Sequence, residues 1–330
     1  MYAAYIERLG PPEVIQYGTL EAPRPGATDV LVDVAATTVN PVDTFLRSGI
    51  YRTTVPFPFV IGRDLVGTVV WAGPGAPGFS PGERVWCNSL GHCGRQGAAA
   101  QQAVVPADRL YHLPTAADLI HAVAVAHPAG TAYLALFTHG RLQAGETVVI
   151  SGAAGNVGSA LVVLASYAGA RVIATAHPRD AEYCRSLGAR VVLDYRSSET
   201  PRQIADNCPE GVDIYVDAYG ANDLSNAVEL LAFRGRIILL AGVRTEPVLP
   251  AGPLYMKEGS IRGFVISHAD SSDLAAAARL INQLLVEDRL RARTVDQTPL
   301  SSAAAAHRRM ERGELRGKRQ ILITNTDLTN

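Results

Sequence analysis

Hydrophobic and polar positions divide the chain into two rhythms. Up to about residue 122, short apolar runs such as Val30-Leu-Val-Asp-Val34, Leu65-Val-Gly-Thr-Val-Val70 and Gln102-Ala-Val-Val105 are separated by turn residues. These include Pro23, Pro25-Gly26, Pro56, Pro58 and the stretch from Gly73 to Gly82. Short strands with such punctuation predict a β-rich, barrel-like domain. Beyond Ala122 the strand-like runs alternate with helical ones, which predicts a parallel sheet with crossover helices. Strand candidates cover 147–151, 171–176, 191–193, 212–217, 236–241 and 261–265, and helix candidates cover 156–168, 181–187, 222–233 and 274–287. Strand character returns between Leu315 and Thr324, with no internal repeat. The partition that fits is a β-rich domain, 1–122, an inserted nucleotide-binding α/β domain, 123–265, and a return to the first domain, 266–330.

The stretch Thr147-Val-Val-Ile-Ser-Gly-Ala-Ala-Gly-Asn-Val-Gly158 carries the most chemistry. An apolar strand runs into Gly152, Ala153, Ala154, Gly155, Asn156, Val157 and Gly158, and an apolar helix follows. Glycine lets a backbone turn tightly and approach a pyrophosphate, and the helix N-terminus offers that anion unpaired N–H groups. A second strand at Arg171–Ala176 supplies the context that a lone glycine pattern lacks. NAD sites place an acidic residue at the end of that second strand, whereas this chain reads Ala174-Thr-Ala-His177. With no carboxylate there to repel a 2′-phosphate, NADPH is the expected cofactor. His177, Arg179, Tyr195 and Arg196 are the candidate contacts for that phosphate, each with a solvated surface role as the alternative.

Composition changes this picture little. A hydrophobic share of 48% with 18% charged residues describes a folded globular chain. The net charge of -1 gives no electrostatic reason to expect nucleic acid or an anionic membrane as partner. No apolar run in the sequence reaches spanning length, and the charges at Glu7 and Arg8 break any signal-peptide core, so a cytoplasmic protein is expected. Cys87, Cys93, Cys184 and Cys208 form no C-x-x-C pair and are expected to be free, buried thiols.

The motifs together resemble the zinc-free quinone oxidoreductase, or zeta-crystallin-like, branch of the medium-chain dehydrogenase/reductase superfamily. The resemblance covers essentially the whole chain. It rests on Val39-Asn-Pro-Val-Asp-Thr44, Arg47-Ser-Gly-Ile-Tyr51, Gly62-Arg-Asp-Leu-Val-Gly67 and Pro81-Gly-Glu-Arg-Val85. It continues through Gly130-Thr-Ala-Tyr133, the glycine turn, Leu187-Gly-Ala189, Gly235-Arg-Ile237 and Met256-Lys257. It implies a GroES-like catalytic domain with an inserted Rossmann domain, an active site between them, and a homodimer.

Zinc relatives hold catalytic zinc with a cysteine and a histidine at the positions that match Asn40 and Arg63 here. Asparagine is a poor zinc ligand and arginine is none, so no metal is expected. Without a Lewis acid, alcohol oxidation is difficult. Hydride addition to a quinone or conjugated carbonyl is easier, because the charge delocalises onto an oxygen that needs only a hydrogen-bond donor. By resemblance, Asn40 and Thr131 lie beside the nicotinamide, and Tyr51 lines the substrate pocket as either a proton donor or an aromatic wall. Arg63 either pairs with Asp43 or Asp64 or biases the pocket toward an anionic substrate. Tyr219, Ala241-Gly242-Val243 and Phe264-Val265-Ile266 match cofactor-contacting segments, and Lys318 is the choice near the 2′-phosphate within Arg316–Arg319. His127 is taken as a packed or surface histidine. Two alternatives stand beside quinone or enone reduction. One is an enoyl or 2-haloacrylate-type reductase of anionic or thioester alkenes, and the other is an NADPH-binding structural or RNA-binding protein.

Overall fold

A computed structural model describes residues 1–324 and divides into two compact units. One comprises Met1–Gly130 together with the chain from Asp270 onward, and the other comprises Thr131–Ala269.

The second unit is built on six parallel strands in the order Val191–Asp194, Arg171–Ala176, Thr147–Ser151, Val212–Asp217, Leu231–Leu239, Ser260–Gly263. The order runs outward in both directions from the first strand, Thr147–Ser151. That strand and its later neighbour Val212–Asp217 therefore form the point where the winding reverses, the place where such sheets bind ligands. Val148, Val149, Ile150, Ile173, Ile214 and Val216 are fully buried, which explains why these strands read as continuous apolar runs. Each such side chain contributes roughly 1.5–3 kcal/mol on burial.

The first unit is mainly antiparallel. Its long strand Asp29–Thr38 pairs with Leu65–Ala72, with Gln102–Pro106 and with Arg319–Ile323 near the C-terminal end. A smaller sheet joins Tyr2–Ile6 to Gln16–Thr19 and Phe59–Val60. The two units carry the GroES-like and Rossmann-like architectures expected from the sequence.

Four local expectations are corrected. The helix predicted over 222–233 is Leu224–Leu230, and the chain enters a strand at Leu231. There Leu231 pairs with Val212, and Lys257 Nζ donates to the carbonyls of Val228 and Leu231, at 3.0 and 2.7 Å, closing the helix end. The last strand of that sheet is Ser260–Gly263 rather than 261–265, so the predicted cofactor segment at 264–266 leaves the sheet. The helical stretch Leu119–His139 is, contrary to the sequence reading, long and apolar enough to cross a membrane, but 72% of its 18-residue apolar window is buried within the fold, as in a core helix. Finally, Cys93 is exposed while the other three cysteines are buried, and all four are free.

Candidate active site

In the second unit the glycine turn follows the central strand, and Gly155 caps the helix Asn156–Tyr167. Gly152 has φ +78°, a left-handed conformation that a side chain resists, and a Cβ on it would also lie 3.1 Å from the Cβ of Tyr219. A Cβ on Gly158 would lie 2.1 Å from the Gly152 carbonyl oxygen, so only glycine lets the helix close onto the strand end. Ala153 is fully buried beneath the turn. This is a cradle of backbone N–H groups at a helix start, of a size and polarity that suit a pyrophosphate.

Other expected cofactor residues gather at the same ends of the strands. Asp217 Oδ1 accepts from the backbone N–H of Tyr219, at 2.9 Å, and of Gly220, at 2.7 Å, and Asp217 Oδ2 accepts from Asn222 N–H at 2.6 Å. This carboxylate fixes the bend that lifts Tyr219 toward Gly152. Asn222 Nδ2 donates to the Ala241 carbonyl at 3.2 Å, tying the Ala241-Gly242-Val243 loop to that bend. The rings of Tyr195 and Tyr219 stack with centroids 5.9 Å apart, and both are exposed. His177 Nδ1 accepts from the backbone N–H of Arg179 at 3.2 Å, and the exposed Arg179 side chain lies 3.8 Å from Asp180. Arg196 is engaged elsewhere: its Nε and Nη2 donate to Asp194 at 3.0 and 2.8 Å, so the acid ending the third strand is already neutralised. Phe264 packs on His139 with ring centroids 4.4 Å apart, Val265 is partly exposed and Ile266 is buried. Thr131 is half-buried in the helix Leu119–Tyr133, at the first residue of this unit.

Asn40, Tyr51, Arg63 and Lys318 belong to the first unit. Lys318 is exposed, in the turn before the strand Arg319–Ile323. The other three surround a buried polar network whose centre is Asp64, fully buried. Asp64 Oδ2 accepts from Thr38 Oγ1 at 2.5 Å and from Asn40 Nδ2 at 2.9 Å. Arg319 Nη2 donates to Thr38 Oγ1 at 3.0 Å and to Asn40 Oδ1 at 3.1 Å, and lies 3.8 Å from Asp64. His127 Nδ1 lies 3.5 Å from the other Asp64 oxygen. Burial alone would raise the proton affinity of Asp64, but His127, Arg319 and Thr38 outweigh it and hold the carboxyl below its ordinary range. Both ends of the Asn40 amide are thus engaged.

Of its two candidate carboxylate partners Arg63 lies on Asp43: Nε is 3.8 Å from Asp43 Oδ1. Its guanidinium also sits over the Tyr51 ring, 5.6 Å from the centroid. Asp43 in turn accepts from the Asn40 backbone N–H at 2.7 Å, at the start of the helix Pro41–Ser48. Burial, with Asp64 nearby, pushes the Asp43 carboxyl up to about 6, against the pull of Arg63. Sequence reasoning missed Arg319, Thr38 and the partnership of His127 with Asp64. Arg319 was hidden because it meets Asn40 only through the pairing of Ile321 with Thr38 across the sheet.

Family models match both units: an alcohol dehydrogenase GroES-like domain over residues 26–115 and a zinc-binding dehydrogenase over 156–283. The quinone oxidoreductase of Rattus norvegicus is 30% identical over 310 residues, covering 93% of this chain and 93% of its own length. Among solved structures, a 2-haloacrylate reductase aligns with a TM-score of 0.85 at 26% identity, covering 99% of this chain and 100% of that one. A mycobacterial protein solved with NADPH aligns with a TM-score of 0.84 at 26% identity, covering 98% and 99% of the two chains.

Proposed function

The chain belongs to the quinone oxidoreductase, or zeta-crystallin-like, branch of the medium-chain dehydrogenase/reductase superfamily, and on that premise we propose that it is a zinc-independent, NADPH-dependent reductase of quinones or α,β-unsaturated carbonyl compounds. Membership makes it an oxidoreductase; substrate, cofactor choice and metal independence are the proposal. The observation that carries it is the Gly152–Gly158 cradle at the winding reversal, with a strand end at Ala176-His177 that lacks an acid.

Gly152, Gly155 and Gly158 would admit the pyrophosphate, and His177, Arg179 and Tyr195 would face the 2′-phosphate. When bound, the reduced nicotinamide supplies a hydride to a ring or β-carbon of the acceptor, and the electron pair displaced there moves onto oxygen, which takes a proton. Tyr51 is the hydroxyl donor assigned to that oxygen, and Arg63 over its ring holds the phenol in orientation and favours negative charge beside it. Zinc independence is supported by the donor set. Asn40 is fully hydrogen-bonded, and two buried guanidinium groups, Arg63 and Arg319, flank the carboxylates a divalent ion would need.

A second reading, reduction of an anionic alkene, is favoured by the buried guanidinium of Arg63, whose side chain is only 1% exposed, and by the likeness to a 2-haloacrylate reductase. A turnover panel with NADPH tests both: quinones, alkenals and 2-haloacrylate, with wild type, Tyr51→Phe and Arg63→Ala. Turnover of neutral acceptors reduced tenfold or more in Tyr51→Phe supports the first reading. Activity confined to carboxylates and abolished in Arg63→Ala supports the second. Binding of NADPH without turnover of any acceptor overturns both. Elemental analysis of active enzyme is expected to give well under one zinc per chain.

A further inference from the structure

Away from the Asp64 network, the first unit holds a group of buried hydrogen-bond donors with nothing to donate to. Arg95 Nε, Arg109 Nη1, Tyr111 Oη and Ser89 Oγ are all shielded from solvent and have no hydrogen-bond partner among the described residues. Buried polar atoms are satisfied in the great majority of cases, so four such donors in one neighbourhood call for an explanation. Arg95 and the Ser89 backbone meet at His92, which is 1% exposed: Arg95 Nη2 lies 3.0 Å from His92 Nε2, and the Ser89 carbonyl lies 3.1 Å from the same nitrogen. His92 Nδ1 lies 3.3 Å from Cys93 Sγ. Tyr111 packs on Trp86, with ring centroids 4.9 Å apart.

The charge in this group is one-sided. Burial and the neighbouring cations Arg63, Arg95 and Arg109 hold the His92 imidazole neutral, down to about 3. Arg95 loses basicity through burial first and through the like charge of Arg109 second. Among the described residues neither forms an ion pair. The carboxylate within range, Asp108, is exposed, while burial keeps the Tyr111 phenol protonated and raises the Cys87 thiol to about 11, so neither supplies a counter-charge. Arg95, Arg109 and Tyr111 are half-buried, which leaves the group open to a small solute.

We propose that Arg95, Arg109, Tyr111 and Ser89 form an oxyanion-binding site that takes a phosphate or carboxylate group. Two guanidinium groups supply charge and directed N–H donors, and two hydroxyls complete the shell. A bound oxyanion supplies lone pairs to these orphan donors and offsets the one-sided positive charge.

Trp86 gives a local readout, since it packs on Tyr111 and the chain's other tryptophan is Trp71. The experiment titrates inorganic phosphate, and separately acetate, into the Trp71→Phe chain at constant ionic strength and follows Trp86 emission. A saturable response to either anion is expected, with phosphate and acetate distinguishing the two ligand chemistries. In Arg109→Gln on the same background the half-saturation should rise at least roughly tenfold. Arg95→Gln is the parallel variant, and far-UV circular dichroism shows which of the two is folded. No saturable response to either anion, as when buried water satisfies the donors, overturns the site. So does a response that survives unchanged in a folded variant, which would place the anion elsewhere, for example at the dinucleotide turn. Neither outcome bears on the reductase reading, because no turnover enters the measurement.

Discussion

At the scale of single residues, the chemistry is set by how buried charges are matched. Asp43 and Asp64 share one neighbourhood and are pushed in opposite directions: Asp64 by His127 and Arg319 toward ionisation, Asp43 by burial toward its protonated form. For Asp43 the folded state binds the proton more tightly than the unfolded one, so this group makes stability fall as pH rises from about 4 to about 6. Asp43→Asn removes that loss. The thermal midpoint of the variant relative to wild type is expected to climb between pH 4 and pH 7, by the equivalent of up to about 3 kcal/mol. A flat difference would mean that Asp43 titrates normally. Arg319 makes the complementary case. Arg319→Met removes the guanidinium that bonds Asn40 Oδ1 and lies beside Asp64, and breaking such a buried pair costs about 3–5 kcal/mol, measurable as a lowered urea midpoint.

At the scale of elements, the strand–turn–helix at Thr147–Tyr167 is the part whose expected and observed bounds agree to within one residue. The steric requirement at Gly158 is absolute in the folded turn, because a Cβ there would meet the backbone oxygen of Gly152 at 2.1 Å. Gly158→Ala is therefore expected to push the helix away from the strand and to cost about 1–3 kcal/mol. NADPH binding, followed by fluorescence titration, should weaken at least tenfold. Retention of wild-type affinity would place the cofactor somewhere other than this turn. Element ends were less legible. The helix ending at Leu230 and the strand ending at Gly263 are fixed by partners distant in sequence, Val212 and Lys257 in one case and the neighbouring strand Leu231–Leu239 in the other.

At the scale of the whole molecule, a cofactor that binds only the folded chain must raise its stability. NADPH at about a hundred times its dissociation constant is expected to add about 2.7 kcal/mol, seen as a rise in melting temperature. NADH at the same concentration should add less, because His177 and Arg179 present no carboxylate and gain nothing from a 2′-hydroxyl. An equal or larger shift with NADH would overturn the argument for the phosphate.

What the amino-acid order determined by itself was local: alternation and apolar runs marked the two architectures, and the glycine spacing marked the tight strand–turn–helix, because both depend on neighbours within a few residues. Tertiary structure decided what the polar side chains of the site do. The pairing of Ile321 with Thr38 brings Arg319, some 280 residues on, against Asn40 and Asp64, and Arg63 settles on Asp43 rather than Asp64. Such pairings carry no periodic signal. They exist only once the sheet has closed and removed water from charges that, in an open chain, would be indistinguishable from a solvated surface.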